Sequence, residues 1–193
     1  MVICRLVSPI PASQVSEFSG VNRERAPHFH ELRAIHKTGK SWRKSQMDEE
    51  AVSRYIVDGF PGVETTVAFG YTFYFYGEGR KYPFATLAGE DNEFDKVSRL
   101  DRPGVYRLNI GVGRETYRRL LGPQPMAPGD SGTVDTGHDF SVLDQIIPHP
   151  VYAPQSWISV LCPSEGLFES SVKPLLEEAY NMAVVRNSRA VEE

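Results

Sequence analysis

Two polar side chains, Arg107 and Asn109, stand in the middle of an otherwise apolar strand. Alternation from Val105 to Val112 puts them together on one face, and the bulky residues between them lie on the other face. A guanidinium group and an amide offer several directed hydrogen bonds, and the guanidinium can also hold an anionic group. We therefore predict that this strand carries a small-molecule site on the face turned away from the main core.

Aromatic residues on neighbouring strands complete the predicted site. The run Tyr71 to Tyr76 has five aromatic residues in six, and Trp157 opens another strand. Aromatic rings supply contact area to a ligand, so we predict a ligand-binding set of Arg107, Asn109, Tyr74, Tyr152 and Trp157. The alternative is structural: strand aromatics are ordinary core residues, and Arg107 pairs with a carboxylate such as Asp101 or Glu64.

His149 is the candidate for acid–base chemistry. Its side chain titrates near neutral pH, and Pro148 and Pro150 hold it on a rigid segment. An enzyme that uses His149 as acid or base, with Arg107 as anchor for an anionic group, is therefore an alternative function. The structural alternative is that the imidazole donates to a backbone carbonyl and pins the turn. No motif indicates a reaction, so we expect a binding protein rather than an enzyme.

Neither a metal site nor a cofactor is predicted. Cys4 and Cys162 show no CxxC spacing, and the histidines and carboxylates lack the spacing of metal ligands. Gly111-Val112-Gly113 follows a strand but lacks the third glycine of a dinucleotide-binding loop. Cys162 ends a strand, where a following helix could lower its pKa, but we predict that it is buried as a small apolar residue.

The first 46 residues differ in charge from the rest of the chain. They carry eight Lys and Arg against three Glu, a net charge of +5, whereas residues 47–193 carry thirteen against twenty-two, a net charge of −9. The basic segment also lacks apolar periodicity. We predict a disordered or weakly ordered extension over residues 1–46, an α+β domain over 47–187 and a frayed tail over 188–193.

Two interpretations of the extension stay open. It is either a basic arm for nucleic acid, or it comes from an upstream start assignment. We favour Met47 as the natural start, because the acidic run that follows it opens a helix cleanly.

Composition predicts a soluble, cytoplasmic protein. The chain has no run of about 18 apolar residues that could span a bilayer, and its N-terminus lacks the apolar region of a signal peptide. The acidic domain argues against nucleic acid as a partner, because affinity for phosphates rests on Lys and Arg. We predict a monomer or homodimer that binds a small organic ligand and no membrane.

Periodicity and turn residues predict a single α+β domain, in which helices cover an antiparallel sheet and a long helix ends the chain. The predicted strands are Glu64–Phe69, Tyr71–Tyr76, Pro83–Ala88, Val105–Val112 and Trp157–Cys162. The predicted helices are Asp48–Gly59, Arg114–Leu121, a short helical turn over Asp139–Ile147 and a C-terminal helix from Glu165 that frays after Arg186. Residues 123–137 are predicted to form a surface loop, and Pro148–Tyr152 an extended segment.

Five segments carry a resemblance to known families: FGYTFYFY (69–76), PFATL (83–87), LDRPGVYRLNIGV (100–112), LDQIIPHPVY (143–152) and WISVLCPS (157–164). From Met47 to Arg186 the chain resembles an uncharacterised actinobacterial family of unknown function. More distantly it is similar to the MmcQ/YjbR proteins. That likeness implies a compact CyaY-like α+β fold and adds nucleic-acid association as an alternative function, but it supplies no catalytic residues.

Overall fold

The computed structural model describes residues 46–77, 82–92, 95–129 and 132–191. The predicted extension over residues 1–46 therefore lies outside the described residues, except for its last position. The strands are β1 (Val63–Ala68), β2 (Tyr71–Tyr76), β3 (Ala85–Ala88), β4 (Arg107–Gly111), β5 (Ile146–Pro148) and β6 (Trp157–Leu161). The helices are α1 (Glu49–Gly59), α2 (Arg114–Leu121), α3 (Glu165–Leu167) and α4 (Lys173–Val191).

The six strands form one antiparallel sheet in the order β1-β2-β3-β4-β6-β5. The prediction of a single α+β domain with an antiparallel sheet and a C-terminal helix is confirmed. Strand β4 lies between β3 and β6, so its residues have neighbours on both sides. Because β4 is central, Arg107 and Asn109 are flanked by strand residues on both sides.

A tight turn between β1 and β2 sets the register of the sheet. Its central residues, Phe69 and Gly70, have φ values of 54° and 75°, and positive φ at both positions is what a two-residue hairpin turn with the correct twist requires. The same register makes Tyr71 the partner of Ala88, and Ala88 the partner of Arg107. Directly opposed residues share a face, so the ring of Tyr71 lies on the same face of the sheet as Arg107.

Helices α1 and α4 cover one side of the sheet, which we call the helix face. Helix α1 begins where the Asp48 carboxylate accepts a hydrogen bond from the first turn, and it buries Val52 and Ile56. Helix α4 contacts β2 and β4, and its Tyr180 ring stacks on Phe60 with 4.8 Å between ring centroids. This apolar layer is the main core of the domain.

Pro174 explains how the C-terminal helical segment is built. Proline has no N–H to donate to the carbonyl of Ser170, and a π-helical turn over Phe168–Val172 precedes it. Pro174 itself lies in the first turn of α4. The helix continues to Val191, beyond Arg186 where fraying was predicted, because no helix breaker occurs in that stretch. Of the helices described, none combines the length and apolar character needed to cross a membrane.

The predicted helical turn over Asp139–Ile147 is wrong. Ile146 to Pro148 pairs with β6 instead, and Asp144 takes a positive φ of 57° that no helix accommodates. The Asp139 carboxylate accepts a hydrogen bond from the Ser141 N–H, a local turn that competes with helix formation. The extended conformation predicted for Pro148–Tyr152 is also only partly right, because the chain turns after His149.

Candidate functional site

Strand β4 is buried on both faces, which corrects the expectation that Arg107 and Asn109 face away from the core. Their alternation with Leu108 and Ile110 is as predicted, yet both polar side chains have a relative exposure of 0%. The side opposite α1 and α4, which we call the loop face, is covered by chain segments that precede β4 and β6. Asp95 and Ser98, which precede β4, contact Arg107, and the charge of Arg107 acts on His149, which precedes β6. The polar residues therefore lie in a second, polar interior.

The guanidinium of Arg107 forms a buried ion pair with Asp95. Nη2 donates to Oδ2 of Asp95 at 2.5 Å, and Nη1 donates to Oδ1 at 3.3 Å. The partner is neither Asp101 nor Glu64, the carboxylates that the structural alternative named. A paired arginine and carboxylate is the arrangement in which a charged side chain tolerates full burial.

Two hydroxyl groups complete the coordination of this ion pair. Nη1 of Arg107 donates to Oγ of Ser98 at 2.6 Å, and Nη2 lies 3.4 Å from the Tyr71 hydroxyl, which donates to Asp95 at 3.3 Å. We call these four residues, Arg107, Asp95, Ser98 and Tyr71, the ion-pair cluster. The remaining donor of the guanidinium is the Nε–H of Arg107, which is buried and has no acceptor within the described ranges.

Titration behaviour in the cluster follows from burial and from the pairing. Burial alone would raise the pKa of Asp95, but the charge and hydrogen bonds of Arg107 outweigh burial and hold that pKa below its usual value. Burial raises the pKa of the Tyr71 phenol to about 12. At neutral pH the cluster therefore contains one guanidinium, one carboxylate and a neutral phenol, and its net charge is zero.

Asn109 belongs to a separate network beside the ion-pair cluster. Its amide nitrogen donates to the Thr86 hydroxyl at 2.9 Å, and its carbonyl oxygen accepts from the Ser159 hydroxyl at 2.7 Å. Thr86 and Ser159 are the register partners of Asn109 on β3 and β6. The three side chains form a chain of hydrogen bonds across the middle of the sheet.

Replacement of Asn109 by alanine is expected to lower the free energy of unfolding by about 2 kcal/mol, because two buried hydrogen bonds at about 1 kcal/mol each are lost. We would measure the loss by urea titration. Thr72→Ala on the helix face of β2 serves as a control at a less buried position. A loss no larger than that of the control would show that the Asn109 network contributes nothing to stability.

His149 lies beside the ion-pair cluster and is buried. Its Nδ1 accepts hydrogen bonds from the N–H groups of Val151 and Tyr152 at 3.0 and 3.1 Å. The imidazole therefore pins the turn, as the structural alternative held, but it does so as an acceptor and not as a donor. Because Nδ1 uses its lone pair in this way, the ring proton of the neutral imidazole sits on Nε2.

Burial and the nearby charge of Arg107 hold the pKa of His149 well below its usual value, and Asp95 opposes them only in part. The imidazole is thus neutral at pH 7. Since Arg107 and Asp95 both act on its pKa, the three side chains lie close enough to interact through their charges.

Half-buried aromatic rings border this polar interior. The ring of Tyr152 lies 5.0 Å from the imidazole of His149, and the ring of Trp157 meets the imidazole edge-on at 6.3 Å. Trp157 also lies over Gly111, where a Cβ would come within 3.1 Å of the indole, so a larger residue at that position would require the indole to shift by a few tenths of an ångström. Together with Tyr71, these rings separate the buried polar groups from solvent.

Of the predicted ligand-binding residues, the structure brings together Arg107, Asn109, Tyr152 and Trp157, and it adds His149. Tyr74 lies apart from them. It is on the helix face, fully buried, and its hydroxyl donates to Ser53 of α1 at 2.8 Å. The pleat explains the difference: in β2 the odd-numbered residues face the ion-pair cluster, so Tyr71 stands where Tyr74 was expected.

Sequence reasoning missed Asp95, Ser98, Thr86 and Ser159. One signal was present for Asp95, because a central strand that buries an arginine requires a carboxylate, and the preceding loop is acidic. The hydroxyl residues gave no such signal. Thr86 and Ser159 reach Asn109 only through strand register, which one sequence does not specify.

Arg102 joins the two chain segments that cover the loop face. Its Nη2 lies 3.0 Å from the carbonyl oxygens of both Ser98 and Ser141, and its Nε donates to the Arg99 carbonyl at 2.8 Å. Within the segment before β6, the Val134 N–H donates to the Pro150 carbonyl at 2.7 Å. These contacts hold the segments that carry Ser98 and His149 in place.

Three other features could carry chemistry: Cys162, a group of metal ligands and His138. Cys162 is buried, as predicted, and its sulfur lies 3.4 Å from the backbone nitrogen of Tyr106. Among the residues described, no three His, Cys, Asp or Glu side chains are grouped so that they could hold a metal ion. His138 is exposed and contacts the Thr136 carbonyl.

This α+β domain with a polar interior on one sheet face matches a family of unknown function. Residues 47–192 match the DUF6194 family, and the chain belongs to that family. No curated protein and no solved structure matches the chain.

Proposed function

We propose that this domain is a small-molecule-binding protein whose site is the ion-pair cluster with His149 and the bordering aromatic rings. One observation carries the proposal: the Nε–H of Arg107 is fully buried and has no acceptor among the described residues. An unsatisfied buried donor costs roughly 1–3 kcal/mol, more when it is charged. A ligand that supplied the acceptor would remove this cost.

The surroundings of Arg107 support the same function. Tyr71, Tyr152 and Trp157 are half-buried and offer ring surface at the border, whereas the polar groups inside offer directed hydrogen bonds. Small-molecule sites combine these two properties. Because Arg107 itself is not exposed, a ligand must enter by displacing the covering segments that Arg102 joins.

The geometry argues against His149 as a general base, and so against the enzyme alternative. A base must offer a free lone pair, but the lone pair of Nδ1 is occupied by two backbone N–H groups and Nε2 carries the proton. A switch of tautomer would place an N–H against those two donors. In this site His149 acts as a hydrogen-bond donor through Nε2.

We propose that the domain is actinobacterial, that it works in the cytoplasm and that it is distantly related to the MmcQ/YjbR proteins. Its antiparallel sheet covered by helices agrees with that distant relationship. Nucleic-acid association, which that relationship would add, is disfavoured by the net charge of −9 over residues 47–193.

A panel of small metabolites, screened by thermal shift and followed by titration, tests the proposed function. A ligand present at about 100 times its dissociation constant stabilises the folded protein by about 2.7 kcal/mol. We expect at least one compound to bind, and Tyr71→Phe to weaken its binding because the hydroxyl that borders Arg107 is lost.

Tyr74→Phe is the matched control for this experiment. It also removes one tyrosine hydroxyl, together with its hydrogen bond to Ser53, but on the opposite face of the sheet. We expect its affinity for the compound to equal that of the unmodified protein. A panel without any binder, or equal weakening by both variants, would rule out the proposed site.

A further inference from the structure

We infer that the ligand of this site presents an uncharged hydrogen-bond acceptor, such as the carbonyl oxygen of an amide or ketone, to Arg107. This inference rests on the proposed function and names its ligand class. It differs from the expectation that Arg107 anchors an anionic group. The observations that carry it are the charge balance of the ion-pair cluster and the hydrogen-bond donors that the site offers.

The charge of Arg107 is already balanced. Asp95 accepts from both terminal nitrogens of the guanidinium, and the side-chain exposures of Arg107 and Asp95 are 0% and 9%. A ligand carboxylate or phosphate would bring a second negative charge beside Asp95. Two anions that share one buried cation repel each other, and the excess charge has no partner. An uncharged group avoids this cost.

The site offers donors to such a group. The Nε–H of Arg107 is buried and has no acceptor within the described residues. Nε2 of the neutral His149 carries the second donor proton, because Nδ1 accepts from the N–H groups of Val151 and Tyr152. A carbonyl oxygen has two lone pairs and can accept from both kinds of donor. The half-buried rings of Tyr152 and Trp157 would lie against the apolar part of the ligand.

Matched pairs of probes test the ligand class. Benzamide and nicotinamide each differ from benzoate and nicotinate in having an uncharged amide in place of the carboxylate. Each probe is titrated into the full chain at pH 7.5, and the backbone N–H signals of Ser98, Val151 and Tyr152 are followed by NMR. We expect the amides to shift these signals and to bind about tenfold or more tightly than the carboxylates, a difference of about 1.4 kcal/mol.

Asp95→Asn provides the second arm. The substitution removes the negative charge but keeps the size of the side chain, so the charge of Arg107 is left without a counterion. We expect the preference to reverse, with benzoate binding more tightly than benzamide. Retention of the amide preference in this variant would overturn the charge argument. If the variant does not fold, the comparison of amides and carboxylates on the unmodified protein decides alone.

The outcomes separate the inference from the proposed function. Carboxylates that bind as well as the amides, or better, overturn the inference and leave the proposed site standing. Probes that all fail to shift the three signals, although the metabolite panel yields a binder that shifts them, also overturn it. A metabolite panel without a binder contradicts the proposed function itself.

Discussion

Arg107→Met is expected to lower the free energy of unfolding by about 3–5 kcal/mol, because it leaves the Asp95 carboxylate buried without its cation. Methionine keeps much of the length of the side chain, so most of the loss comes from the charge and not from a cavity. Ser98 and Tyr71 also lose their contacts with the guanidinium. Urea titration at pH 7 measures the effect.

Two further variants identify the cause of the stability loss in Arg107→Met. Arg107→Met combined with Asp95→Asn removes both charges and is expected to recover most of the loss, since a buried pair is often replaceable by neutral groups. Arg54→Met is the control for an exposed ion pair: Arg54 and Glu50 lie 2.8 Å apart, with side-chain exposures of 61% and 84%. We expect that control to cost less than about 1 kcal/mol. Equal losses from Arg54→Met and Arg107→Met would mean that the buried pair has no special role.

The sequence predicted the fold of this domain better than its polar interior. Alternation alone placed Arg107 and Asn109 on one face of β4, and the hairpin signals placed β1 to β3 beside it, because both depend on neighbouring residues. Whether that second face meets water depends on the segments that fold over it. Those segments consist mostly of turn residues without periodicity, so no sequence pattern indicates that they cover the strand.

The residues of the candidate site show which contacts a single sequence can predict. Tyr152, Trp157 and His149 stand out by residue type alone, and the structure places the rings of Tyr152 and Trp157 against His149, beside the ion-pair cluster. The predicted ligand-binding set contains Tyr74 and not Tyr71, because composition does not reveal the register of β2. A shift of that register by one residue exchanges the two faces of the strand. Asp95 was missed because its pairing with Arg107 joins a loop to a strand.

His149 is expected to make the protein lose stability below about pH 6.5. Its pKa is lowered by folding, so the unfolded chain binds the proton more readily, and stability falls as the pH decreases through the pKa of the unfolded state. The slope for this one proton reaches at most about 1.4 kcal/mol per pH unit. The charged groups that face His149 are Arg107 and Asp95. The pKa of Asp95 is also lowered, so its own contribution is lost only below about pH 4.

His149→Asn isolates this contribution. The Oδ1 atom of asparagine branches from the side chain where Nδ1 does in histidine, so it can accept the same hydrogen bonds from Val151 and Tyr152, but it does not titrate. Urea titrations of both proteins at several pH values between 7 and 4.5 should give a steep decline for the unmodified protein and a shallower one for the variant. His149→Leu removes the hydrogen-bond acceptor as well as the titrating group. At pH 7 it should therefore lower the free energy of unfolding more than His149→Asn does. Parallel declines of the unmodified protein and His149→Asn would show that a group other than His149 drives the loss of stability in acid.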